Sequence, residues 1–172
     1  MSTTQNYDLP YFGQINLNEL ADDYRITIDL DGKNLKIDLN FENKILKFED
    51  FTSVKFFLQN ISEFDKQNLK IIETDFNEEG EISGYIEFHL DELDEEELSN
   101  IIDIDNVSVS REVQLLSKLK LVRVGLYPDE KYGADYFGVF DYSIDIDGEP
   151  SNQVLVVKTD EKGNLDHITW ES

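Results

Sequence analysis

No cysteine occurs among the 172 residues. That absence excludes disulfide frameworks, thiol nucleophiles, iron–sulfur clusters and every cysteine-based zinc site. Histidine is almost as scarce, with 2 imidazoles, His89 and His167. Basic side chains are also few, Lys+Arg 15 against Asp+Glu 38, which leaves a formal charge of −23. Such a charge repels phosphate backbones and anionic lipid, so neither nucleic acid nor membrane is an expected partner, whereas a basic protein is. No apolar run approaches the roughly 20 residues that cross a bilayer. The polar start Met1-Ser2-Thr3-Thr4-Gln5-Asn6 lacks the basic and apolar regions of a secretory signal, which points to a cytoplasmic protein.

What is present is ordered patterning, enough for one domain spanning 1–172. Tyr24, Ile26, Ile28 and Leu30 alternate with polar residues, and Leu35, Ile37, Leu39 and Phe41 resume the alternation after Asp31-Gly32-Lys33-Asn34, which predicts a β-hairpin. The segment Phe12–Leu17 is a candidate third strand. The period then becomes helical. Asp50 is a plausible N-cap for a helix over Phe51–Asn60, carrying Phe51, Val54, Leu58 and Ile61 on one stripe. Ser62 with Asp65 resembles a capping box, and Leu69, Ile72 and Phe76 extend a second helix to a stop at Gly80. Glu81–Leu93 fits both a helical and an alternating pattern; its stripe Ile82, Ile86, Leu90, Leu93 is read as helix. Asp94 with Glu97 repeats the N-cap pattern ahead of Leu98, Ile101 and Ile102, and a short helix is expected over Arg111–Lys118.

From Leu121 the period is two, through Val122, Val124, Leu126, then Phe140–Ile146, then Leu155 and Val157, then Ile168 and Trp170. Turn residues at Pro128-Asp129, Asp147-Gly148 and Lys162-Gly163-Asn164 predict an antiparallel meander. The fold class is therefore α+β: an N-terminal β-hairpin, a central helical block over one sheet face, and a C-terminal antiparallel β-meander that holds the large apolar side chains.

The segments Tyr11-Phe12-Gly13, Phe88-His89-Leu90-Asp91-Glu92-Leu93, Tyr127-Pro128-Asp129, Phe140-Asp141-Tyr142 and Ile168-Thr169-Trp170-Glu171-Ser172 together resemble a bacterial family of unknown function, number 2004. The resemblance covers most of the chain. It implies an α+β cytosolic protein and transfers no catalytic residue.

Candidate chemistry is thin. His89 and Glu92, three apart, have a spacing used in carboxylate-bridged metal sites, but such sites need the motif twice. They are the residues that a carboxylate- or metal-dependent enzyme would use. A structural histidine is the plainer reading, and no cofactor or bound metal is expected. Asp29-Leu30-Asp31-Gly32 and Asp145-Ile146-Asp147-Gly148 miss the register of calcium loops and read as hairpin turns. No phosphate loop and no Gly-x-Ser-x-Gly elbow occurs. The anomaly lies between Ile71 and Ser110, where 14 acids run without a Lys or Arg. Within it, Asp91, Glu92, Asp94, Glu95, Glu96 and Glu97 form a candidate steering patch for a basic protein, of the kind immunity proteins and inhibitors present. Its rivals are a solubilising face and a nucleic-acid mimic.

Overall fold

The computed structural model describes residues 5–172; the polar start, Met1–Thr4, lies outside them. A small antiparallel hairpin, β1 (Asn6–Leu9) and β2 (Gly13–Asn16), comes first. The candidate strand Phe12–Leu17 is thus a strand, but it pairs with β1 and stays out of the main sheet. The expected hairpin follows as β3 (Asp23–Leu30) and β4 (Lys33–Asn40), closed by Asp31 and Gly32 at φ 53° and 81°. Positive φ at both central residues defines a type I′ turn, whose twist suits flanking strands and which glycine enters without a Cβ penalty.

Five helices then separate this hairpin from the meander: α1 (Phe48–Gln59), α2 (Ile61–Asn77), α3 (Glu81–Glu92), α4 (Glu95–Ser99) and α5 (Arg111–Leu116). Glu81–Leu93 is helical, as its stripe predicts. Several boundaries differ from the sequence reading. Lys47, not Asp50, precedes α1, because Phe48 is drawn into the helix by an edge contact with Tyr7, ring centroids 5.0 Å apart. The Ser62 capping box does not form: α2 starts at Ile61 directly after α1, and the Asp65 carboxylate instead accepts from the Tyr142 hydroxyl at 2.7 Å. Gly80 does not end α2. Glu79 takes the left-handed turn at φ 58°, and Gly80 N–H reaches back to the Asp75 carbonyl at 2.9 Å. Gly80 gives the Asp75 carboxylate room to accept from Ile82 N–H at 3.0 Å and cap α3, since a Cβ at 80 would displace it.

The meander comprises β5 (Lys120–Leu126), β6 (Gly138–Ser143), β9 (Val154–Thr159) and β10 (Leu165–Glu171). The apolar run ending at Ile146 breaks after Ser143, and β7 (Asp145–Ile146) with β8 (Glu149–Pro150) makes a minimal hairpin around Asp147-Gly148. The main sheet is six-stranded, ordered β10-β9-β6-β5-β4-β3. Hairpin and meander join through one parallel pairing, Ile37 opposite Val124, and the helical block forms the crossover that parallel strands require.

One face of the sheet meets the helices. Phe140 packs on Phe57 at 5.6 Å, Phe41 on Phe51 at 5.7 Å and Trp170 on Tyr85 at 5.9 Å. Phe140, Tyr142, Ile144, Leu155 and Val157 are fully buried, while Ile168 and Trp170 are half-buried at the margin. The core is not confined to the meander, because Phe51, Val54, Phe57, Leu58, Ile82, Tyr85 and Ile86 are equally buried. The opposite face carries charged and polar side chains such as Asp38, Arg123 and Asp141 together with the buried Val139 and Val156. No helix among the described residues is long and apolar enough to cross a membrane.

Candidate functional site

The candidate patch lies where α3 ends and α4 begins. Asp94 accepts from Glu97 N–H at 2.8 Å while the Glu97 carboxylate accepts from Asp94 N–H at 3.0 Å, so two of the six acids close a capping box. Glu95 is neutralised from outside the acidic run: Arg111 donates to both its oxygens, at 2.7 and 3.2 Å. These bonds and the guanidinium charge pull the Glu95 carboxyl below its ordinary value. The cation is 16 residues distant in sequence and was not part of the local acidic pattern. Asp91, Glu92 and Glu96 remain, exposed and without an ion pair or side-chain hydrogen bond among the described residues.

Beside this ridge the helices enclose a groove of about 660 Å³. Its walls are Glu79 after α2, Glu87 on α3 and Glu112 on α5; Phe76, Ser83 and Gly84 lie between them, and no Lys or Arg lines it. Gly84 lies in the lining with open space around it, since a Cβ there would meet nothing within 4 Å. Gly84, Glu87 and Asp91 are spaced three and four apart, which sets them on one exposed stripe of α3 and makes groove and ridge a continuous surface. Sequence reading missed this grouping. Glu112 lies beyond the acid-only run, and only the packing of α5 on α3 brings it across from Glu87. The three-residue spacing of Gly84 and Glu87 was the one local signal.

His89 and Glu92 part company. His89 is 2 % exposed and its Nδ1 lies 2.9 Å from the Tyr85 carbonyl, which can only accept, so the proton sits on Nδ1. Nε2 is left to accept from Ser151 Oγ at 3.3 Å, and the ring packs against Tyr85 at 4.5 Å and Phe88 at 5.4 Å. Burial holds its pKa below the ordinary histidine value, keeping it neutral near pH 7. Glu92 points to solvent, and among the described residues no group of three or more His, Asp or Glu side chains could hold a metal ion. His167 sits elsewhere, exposed on β10 beside Asp166 and the Tyr136 ring.

The open sheet face has its own charged centre, also unseen in the sequence. Arg123 of β5 makes a two-pronged pair with Asp38 of β4 at 2.7 and 2.8 Å, reaches Asp141 of β6 at 3.1 Å, and donates to the Tyr127 hydroxyl at 2.9 Å. Gly125 makes room, since a Cβ there would approach the guanidinium to 2.5 Å. Burial alone would lower the Arg123 pKa; the two carboxylates more than offset it and hold the group charged. Burial raises the Asp141 pKa from its ordinary value against the pull of Arg123. Both acids are engaged by the arginine. The cluster ties three strands together.

Comparison with protein-family models, with curated proteins and with solved structures finds no match.

Proposed function

We propose that this chain is a non-catalytic acidic interaction module, a bacterial cytosolic protein of the inhibitor or immunity kind that docks a basic protein on its helical side. The observation that carries the reading is the groove walled by Glu79, Glu87 and Glu112 with no cation in its lining. Carboxylates in a concave wall focus their field on an incoming cation more than the same charges on a convex face. Asp91, Glu92 and Glu96 extend that field along α3 and α4, whereas Asp94, Glu95 and Glu97 serve structure first.

The test separates location from net charge. A triple variant, Glu79→Gln, Glu87→Gln and Glu112→Gln, and a control, Glu19→Gln, Glu42→Gln and Glu161→Gln, each carry −23 + 3 = −20. With an oligolysine peptide as probe, the groove variant binds several-fold more weakly and with a shallower salt dependence than the control. Equal affinity and equal salt dependence in the two variants would sink the proposal and leave the acids as a solubilising surface.

A further inference from the structure

The main sheet ends on β3, and no described segment pairs with its outer side. Which backbone groups that edge offers follows from the hairpin. A two-residue turn places Leu30 opposite Lys33, and in such a hairpin the closing pair exchanges both hydrogen bonds. Alternation then turns the backbone groups of Ile28, Ile26 and Tyr24 toward β4. The chain beyond agrees, because Phe41 N–H donates to the Asp22 carbonyl at 3.0 Å, continuing the even-numbered series. The N–H and C=O groups of Arg25, Thr27 and Asp29 therefore face outward, unpaired.

Natural sheets guard such an edge with proline, a bulge or charges that repel a copy. The opposite edge, β10, has a register shift between Leu165 and His167. β3 has none: it contains no proline, and its register with β4 runs unbroken over eight pairs. Its charges are arranged differently from a guard. About Thr27 the sequence Arg25-Ile26-Thr27-Ile28-Asp29 is charge-antisymmetric, so a second copy running antiparallel about a two-fold axis at Thr27 would set Arg25 opposite Asp29 at both ends. The same register opposes Thr27 with itself, Ile26 with Ile28 and Tyr24 with Leu30; it also brings Asp23, the partner of Arg25 at 2.8 Å, opposite Asp31 of the other copy, so the favourable charge pairing is confined to 25–29. It also matches the backbone, since the residues so opposed at 25, 27 and 29 are the ones whose groups face outward, while Ile26 and Ile28 fall at the non-bonded pairs where side chains approach most closely. Tyr24, Ile26, Ile28 and Leu30 are half-buried along the helix side of the sheet, and Arg25, Thr27 and Asp29 are exposed on the other.

We infer that β3 is a homodimerisation edge, joining two copies antiparallel about Thr27 into one continuous sheet with both helical layers on the same side. An isologous contact of this kind closes on itself and adds no further copies. Because each chain carries −23, the long-range repulsion opposes association until salt screens it, so the dimer strengthens from about 0.01 M to about 0.15 M ionic strength, as the Debye length falls from about 30 to about 8 Å.

Sedimentation of the full chain over a concentration series tests this with a charge swap. Arg25→Asp opposes Asp with Asp29, and Asp29→Arg opposes Arg with Arg25, so each variant alone loses at least about tenfold in self-association. Mixed, the two restore both opposite-charge pairs and form a heterodimer near wild-type strength. Asp29 also accepts from Gly32 N–H in the turn at 2.9 Å. Should Asp29→Arg unsettle the hairpin by circular dichroism, Thr27→Lys and Thr27→Asp repeat the design at the two-fold axis without touching that bond. A wild-type chain that stays monomeric up to about 1 mM, or one whose association neither swap weakens, overturns the inference; in the first case the edge is left to another protein's strand, and in the second the contact lies elsewhere.

Discussion

Asp65 shows how one side chain can be placed by the fold against its own ionisation. It sits on α2 under the sheet, beside a cavity of about 60 Å³ that Leu35 and Leu121 also line, and accepts from Tyr142, a residue with no exposure. Burial raises its pKa, and the Tyr142 hydrogen bond only partly opposes the rise. The folded chain thus holds this proton to higher pH than the unfolded chain. Stability falls as pH climbs from the unfolded value, about 3.9, through the raised folded one, and the cost is constant above it. Asp65→Asn keeps an acceptor for Tyr142 and removes the cost. Urea unfolding at a series of pH values should show the variant gaining on the wild type as pH rises through that window and keeping the advantage at pH 7; parallel curves would refute the account. Neighbouring Asn68 is fully buried and also bears on the Tyr142 hydroxyl, so two polar side chains share this part of the core.

At the scale of elements, a cap signal in the sequence holds only where nothing else fixes the helix start. Asp94 and Glu97 satisfy each other locally, as their spacing predicts, while Ser110, not singled out in the sequence, accepts from Val113 N–H at 3.2 Å to open α5. Asp50 and Ser62 have equally suitable chemistry, but the start of α1 is set by Tyr7 against Phe48 and the start of α2 by its direct continuation from α1. Asp94→Ala should cost about 1 kcal/mol in thermal or urea unfolding, and Asp94→Asn little, because Asn caps as well as Asp. A loss of equal size in both variants would mean that the negative charge matters there and the cap does not. The acidic groove was illegible for a similar reason. Glu79, Glu87 and Glu112 belong to three segments, and their union depends on how α5 leans on α3.

For the molecule as a whole, 38 acids against 15 bases make self-repulsion a standing cost of compaction. The ion pairs do little to offset it, since those of Arg25, Lys44 and Arg111 are largely exposed, and such pairs contribute about 0–1 kcal/mol. Salt relieves the repulsion more than it weakens the pairs. The urea midpoint should rise between about 0.01 M and about 0.15 M sodium chloride. A midpoint that drops over this range would show that specific ion pairs, the Arg123 cluster foremost, outweigh the net charge.

Periodicity and turn chemistry by themselves determined most element types: alternation fixes which residues of β4, β6 and β9 face inward and Asp-Gly pairs close two hairpins, whereas 81–92 fits both periods and its helix is settled only in the folded chain. The strand faces and the turns are local consequences of backbone geometry, legible without neighbours. The tertiary structure alone decided that Ile37 pairs in parallel with Val124, that Arg123 draws Asp38 and Asp141 together, that Arg111 cancels Glu95, and that Glu112 completes the groove. Each of these joins residues remote in sequence through packing, and packing is a property of the assembled layers that no window of the chain contains.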